Sequence, residues 1–238
     1  RAAHTERNGN LYPTHGLGPV AWYLGINHGD RFEYMVSMST LELGLSKWRQ
    51  DHLAKDDPRW KEKYINGDLK SSLIKTAKGR TIRLEHNVSS PRPYSRINSI
   101  EGTNGLFEDY PPRIYIEGRG KEDVWTTIDD YKAEFEHPWW KEQGQRALNG
   151  GHGGMDFIMA WRLVTCVREG LGPDMTVSDA RACTVPGTPP APPRGEATAA
   201  ARFPDLPPAL SGRFAPLQPR SPASKRRRAM PCMPWSSS

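Results

Sequence analysis

Apolar and polar residues alternate most regularly in three stretches of the chain. In Arg31–Met38 the residues Phe32, Tyr34, Val36 and Met38 fall on one face, which predicts a strand with that face buried. Leu69–Thr76 and Thr81–Asn87 alternate in the same way. They flank Ala77-Lys78-Gly79-Arg80, whose glycine suits the turn of a hairpin. Shorter strand patterns follow at Ser95–Gly102, Gly105–Glu108 and Arg113–Glu117. Helical periodicity marks His15–Ile26, Ile128–Phe135, Trp139–Leu148 and Gly154–Glu169. The last carries Phe157, Ile158, Trp161, Leu163 and Val164 around most of its circumference, which predicts a deeply packed helix. Leu43–Tyr64 is charged, bears tryptophans and is broken by Asp56-Asp57-Pro58, as expected of an excursion over the surface. Closely spaced strands without intervening helices predict an antiparallel sheet covered by helices, an α+β fold.

Composition divides the chain in two. Residues 184–238 hold 13 of the 22 prolines and no apolar periodicity, so an extended or disordered tail is expected there. The same tail holds 8 Lys/Arg against 2 Asp/Glu, which equals the whole net charge of +6. The remaining residues carry 25 charges of each sign. A pI near 9.3 therefore does not point to nucleic acid, because the predicted globular part is electrically balanced. Lys225-Arg226-Arg227-Arg228 has the form of a basic targeting patch, and Pro189-x-x-Pro192-x-Arg194 that of an SH3 ligand, but both patterns are short and common.

Three cysteines, Cys166, Cys183 and Cys232, lack CxxC spacing and support neither a disulfide framework nor a zinc site. Cys166 sits in an apolar helical run, as a small core residue would. No stretch reaches the roughly 18 apolar residues of a membrane span. No signal peptide opens the chain, and no initiator methionine does either, so the compartment stays open.

The densest chemistry lies at Arg7-Asn8-Gly9-Asn10-Leu11-Tyr12-Pro13-Thr14-His15-Gly16-Leu17-Gly18-Pro19. Tyrosine, threonine and histidine stand between prolines and glycines that preset the backbone, and the segment runs straight into the apolar Val20–Leu24. Polar groups fixed where a loop enters a helix suit ligand binding. The alternative is a structural turn whose histidine caps a neighbour. Gly16-Leu17-Gly18 resembles part of a dinucleotide turn but follows no apolar strand and lacks an acidic partner in a βαβ unit. His152 and Asp156, four residues apart on one helix face, could line a site or cap a helix; without further ligands at suitable spacing a metal is not expected.

Three segments together resemble glycoside hydrolase family 109, the NAD-dependent α-N-acetylgalactosaminidases: Arg7–Pro19, Ser89-Ser90-Pro91-Arg92-Pro93-Tyr94-Ser95 and Gly151-His152-Gly153-Gly154-Met155-Asp156-Phe157. The similarity runs from about Arg1 to Ala182, about the second half of such an enzyme. It implies the sheet-forming C-terminal domain of the Gfo/Idh/MocA superfamily over residues 1–183, with the Rossmann domain that holds NAD expected upstream. After Val177 the family continues with Tyr-Asp and then Trp-Ser, whereas this chain reads Ser178-Asp179 and Cys183-Thr184. A shifted reading frame or misplaced coding end near Cys183 would account for the departure.

The resemblance also implies an activity. A terminal N-acetylgalactosamine is oxidised at C3 by NAD, its C2 proton becomes acidic, the aglycone is eliminated, water adds, and C3 is reduced again. Carried over by residue, the sugar contacts fall on Arg1, on Tyr12, Pro13, Thr14 and His15, and on Tyr94, with Tyr12 also beside the nicotinamide. His15 and Tyr94 are the catalytic candidates, because imidazole and phenol can pass protons near neutral pH. His152 and Asp156 remain site-lining candidates. The expected partner is a glycan ending in N-acetylgalactosamine, with self-association through the sheet open and neither nucleic acid nor membrane expected. Family members are bacterial and often exported. Alternatives are a sugar oxidoreductase of the same superfamily and a non-catalytic interaction protein working through the tail. By itself the chain is expected to be inactive.

Overall fold

The computed structural model describes residues 2–184 and 201–203. These form two compact units: the first contains residues 2–94, 177–184 and 201–203, the second residues 95–176.

In the first unit the elements run α1 (Ala2–Glu6), α2 (Thr14–Tyr23), β1 (Phe32–Ser39), α3 (Gly44–His52), β2 (Leu69–Thr76) and β3 (Thr81–Asn87). The hairpin β2–β3 has the predicted bounds, and Gly79 at its turn takes φ 83°, a left-handed angle that glycine adopts at no steric cost. Pairing is antiparallel, with Lys70 opposite His86, Ser72 opposite Leu84 and Ile74 opposite Ile82. β1 pairs antiparallel with the other side of β2.

β1 departs from simple alternation. Phe32 pairs with Thr76 but Tyr34 with Lys75, so an extra residue bulges between them and the facing parity flips. Phe32 and Met35 are therefore the buried pair, while Tyr34 and Met38 are exposed and Val36 is half-buried. The expectation that Phe32, Tyr34, Val36 and Met38 share a buried face is corrected accordingly.

The covered face of this sheet carries Met35, Ile74, Ile82 and Leu84, packed against Leu17 and Ala21 of α2, Ile26, and Ala182 and Cys183 of α7 (Val177–Thr184). A Cβ on Gly16 would stand 2.9 Å from Leu84 Cδ1, so α2 lies close on β3. After Tyr23 the chain turns through Gly25 (φ 67°) and Asn27 (φ 64°). Residues 201–203 lie within the segment expected to be tail. Ala201–Arg202 pairs antiparallel with Tyr34 and Met35, and the Phe203 ring packs 5.1 Å from that of Phe32. The rest of the expected tail after Thr184, with both of its short motifs and Cys232, falls outside the described residues.

The second unit holds β4 (Ser99–Gly102), β5 (Gly105–Glu108), β6 (Arg113–Ile116) and β7 (Thr126–Thr127), an antiparallel sheet in that order. It adds α4 (Asp129–Phe135), α5 (Pro138–Ala147) and α6 (Met155–Glu169). The fold is α+β, as predicted, but the strands divide into two sheets. The connection from Asn87 to Ser99 contains Pro91 and Pro93, which cannot donate to a ladder. Ser95–Asn98, expected as strand, is irregular, and Ile97 takes φ 47°.

α6 corrects a second expectation. Of its residues only Ile158 and Cys166 are buried, whereas Met159, Leu163, Val164 and Val167 are exposed. The helix packs through a single face, with Trp161 meeting Trp139 of α5 edge-on at 6.0 Å. No described helix is long and apolar enough to cross a membrane.

Candidate active site

α2 sets the direction of the site. Its first turn lies over Leu84, and the turn that follows the helix reaches Thr76 through Asp30, so its N-terminus points away from the Thr76 end of the covered sheet face. That end is polar. Lys70, Ser72 and His86 occupy inward positions there, where β2 and β3 would otherwise carry apolar side chains. The loop from Arg7 to Pro13 is bonded to Ser39 at the end of β1 and to Asn66 and Gly67 ahead of β2.

Asparagines hold the loop. Asn8 Oδ1 accepts from Ser39 Oγ at 3.1 Å and from Gly67 N at 3.2 Å. Gly9 N donates to Asn66 Oδ1 at 3.0 Å, and Tyr12 N donates to Asn10 Oδ1 at 3.0 Å. Pro13 is buried and opens α2 without a side-chain cap. Pro19 lacks an N–H, so the carbonyl of His15 receives no donor four residues on.

Tyr12 and His15 are brought together. The phenol oxygen and Nε2 stand 3.0 Å apart, with ring centroids 4.6 Å apart. Both side chains face solvent, Tyr12 with 57% of its surface exposed. A neutral imidazole can accept the phenol proton in this arrangement, leaving Nδ1–H as its other group. The pair can thus pass a proton to or from a bound hydroxyl. Thr14 is exposed beside it.

Tyr94 lies on the irregular segment after β3 and is 70% exposed. Arg1 falls outside the described residues. His152 and Asp156 belong to the second unit and bond each other, Nδ1 to Oδ2 at 2.9 Å. A Cβ on Gly151 would fall 2.3 Å from Asp156 Oδ2, so a side chain there would displace the carboxylate from its present place. His152 takes φ 52°, an uncommon angle for a residue with a side chain. Among the described residues no three His, Cys, Asp or Glu side chains cluster as a metal site would need.

The strand alternation carried one signal not used above. Lys70 is 4% exposed with its ammonium on Gly67 O at 2.6 Å, and burial brings its pKa down to about 8. His86, 8% exposed, is brought down to about 4 by burial and by the positive charges of Lys70 and His4. A polar residue at an inward strand position marks such a cluster, and Lys70 and His86 both stand at one. A histidine kept neutral by the fold stabilises it above the ordinary value of 6.5. That contribution is lost as pH falls from 6.5 towards about 4, because the unfolded chain takes the proton first. His86→Phe is therefore expected to flatten the decline of the urea midpoint between pH 6.5 and 4.5. Equal declines in both proteins would contradict the neutral, buried imidazole.

Gly67 makes the closest approach in the loop's support. A Cβ there would meet Thr40 O at 2.0 Å and Ser39 Oγ at 2.4 Å. Gly67→Ala is expected to cost about 1–3 kcal/mol, since backbone must shift to admit the methyl. Urea unfolding reads this directly, and a loss under a few tenths of a kcal/mol would mean that the turn relaxes freely.

Comparison with known proteins agrees with the segment pattern. The family described as glycosyl hydrolase 109, C-terminal domain, matches residues 1–206. A glycosyl hydrolase family 109 protein of Solibacter usitatus is 53% identical over 212 residues, covering 87% of this chain and 47% of its own. One from Saccharopolyspora erythraea is 51% identical over 186 residues, covering 78% and 40%. The alpha-N-acetylgalactosaminidase of Shewanella oneidensis is 50% identical over 187 residues, covering 76% and 41%. The chain spans less than half the length of these relatives. The family match continues past Cys183 and takes in the residues that pair with β1. This chain belongs to glycosyl hydrolase family 109, whose C-terminal domain accounts for residues 1–206.

Proposed function

We propose that this chain is the substrate-binding part of an NAD-dependent glycosidase that removes terminal N-acetylgalactosamine. The observation that carries the reading is the Tyr12–His15 pair, set 3.0 Å apart at the entrance to α2 in a chain of this family. The name of the Shewanella oneidensis relative supplies the sugar. Tyr12, Pro13, Thr14 and His15 would line one side of the sugar, with Arg1 and Tyr94 as further contacts.

The chain's own residues offer NAD a limited surface. Gly16 and Gly18 lie inside α2 around the fully buried Leu17, so they form no phosphate-binding turn, and both sheets are antiparallel. Tyr12 fits the role of a single contact, because its ring is exposed while its hydroxyl is held by His15. The remainder of NAD binding is assigned to the length of the relatives that lies outside the match. NAD, when bound, supplies the reversible oxidation at C3 that makes the C2 proton acidic. The protein's part is proton traffic: His15 and Tyr12 hold or release the proton of the reacting hydroxyl, and the phenol of Tyr94 orients the sugar.

The test is an assay of a protein of full family length on para-nitrophenyl α-N-acetylgalactosaminide in deuterium oxide. The expected product is the free sugar carrying deuterium at C2. Release of undeuterated sugar would exclude the elimination route, and oxidised sugar without release of nitrophenol would make the protein an oxidoreductase. The 238 residues alone are expected to leave the glycoside intact.

A further inference from the structure

The loop that carries Tyr12 and leads into His15 of α2 is fastened by several asparagines, of which Asn66 is the buried one outside the loop. We propose that Asn66 is a positioning residue for the Tyr12–His15 pair. Its side-chain oxygen accepts from Gly9 N at 3.0 Å, and its amide nitrogen donates to His4 Nδ1 at 3.2 Å. The residue is 1% exposed, so neither bond is exchanged readily for water.

The support around it is equally fixed. His4 O accepts from Ile65 N at 2.9 Å and Asn66 N at 3.2 Å, which seats the turn on α1. Gly67, next in sequence, presents its N–H to Asn8 Oδ1 at 3.2 Å, while Lys70 Nζ grips its carbonyl at 2.6 Å. Asn8 and Gly9 are thus held at adjacent positions by adjacent residues of the turn. Asn10 then fixes the backbone of Tyr12, and Pro13 begins α2, whose Leu17 and Ala21 are locked in the core. Between two anchored ends the chain has little freedom to spend.

That matters because the pair itself is exposed. A hydroxyl–imidazole bond of 3.0 Å between solvent-facing side chains does not survive a drift of about 1 Å in its backbone. Asn66 touches neither ring and acts only through Gly9. The inference rests on the proposed function in treating Tyr12 and His15 as the working pair, and on the geometry alone for everything else.

The test uses the 238-residue chain with nitrogen-15 in its histidines and reads the Nε2 signal of His15. In the wild type, Tyr12→Phe removes the phenol and shifts that signal. In Asn66→Ala the shift produced by Tyr12→Phe is expected to fall to less than half. Asn66→Asp keeps an acceptor for Gly9 N and is expected to retain most of it. Asn66→Ser, too short to reach Gly9, carries the same comparison should the alanine variant not fold. An undiminished shift in Asn66→Ala or Asn66→Ser, with only a lower melting temperature, would overturn the proposal in favour of a purely structural role. Loss of the shift in Asn66→Asp as complete as in alanine would also overturn it, since Gly9 would not be the route. These signals do not depend on turnover. If the glycosidase reading fails, the assay on the nitrophenyl glycoside is blank while the coupling between Tyr12 and His15 stays intact.

Discussion

His15→Ala is expected to lower turnover by about 100-fold or more in a protein of full family length, the usual scale for a proton-transfer group. The imidazole is exposed and hydrogen-bonds Tyr12. α2 is held to the sheet by Leu17 and Ala21, so alanine at residue 15 leaves the core untouched and the melting temperature close to that of the wild type. Tyr12→Phe should remove the partner and reproduce part of the loss. Tyr94→Phe is expected to match His15→Ala in size, because a phenol that orients the reacting sugar acts only through its hydroxyl. A single turnover experiment with His15→Ala that matched the wild type would remove His15 from the proton path.

The parts of the fold that were legible in the sequence are those where one rule acts alone. β2 and β3 keep strict alternation, with Ile74, Thr76, Ile82 and Leu84 inward, and their bounds could be read residue by residue. β1 could not, because one bulged residue between Phe32 and Tyr34 exchanges the two faces and leaves no mark in composition. α6 misled for the opposite reason. Its sequence is apolar nearly all round, yet burial depends on what is available to pack against it, and the described residues of its unit cover a single face.

The candidate site was legible in its exposed members and hidden in its supports. Tyr12 and His15 stand three residues apart with a helix start between them, which brings their side chains to one place. Asn66 contacts Gly9 across 57 residues of chain, and Gly67 contacts Asn8 across 59, separations that no local pattern encodes. Lys70 and His86 were visible as polar residues on the inward parity, but only pairing of β2 with β3 places them opposite each other. The two-unit arrangement was likewise hidden, since nothing in the strand spacing tells which strands pair.

At the other end of α2, Asp30→Ala is expected to cost about 3 kcal/mol or more in urea unfolding. Its carboxylate accepts from Thr76 Oγ1 at 2.7 Å, Arg31 N at 2.8 Å, Arg80 Nη1 at 2.9 Å and Lys78 N at 3.0 Å. One side chain therefore joins the turn after α2 to the turn between β2 and β3. Burial alone would raise its pKa, but these donors outweigh it and hold the carboxyl below its ordinary value. The stabilisation is accordingly complete at neutral pH and is lost only as pH falls through that lowered value. The ion pair is the lesser part, because Arg80 is 45% exposed and can turn to water. The larger loss comes from Thr76, which is fully buried, and from the Lys78 amide, neither of which has a comparable acceptor to replace Asp30. Asp30→Asn keeps one acceptor oxygen and should cost about half as much. Losses below about 1 kcal/mol in both variants would show that the two turns are held by the core alone. Tyr12 and His15 lie at the opposite end of the helix, so either substitution should lower stability while leaving turnover per folded molecule unchanged.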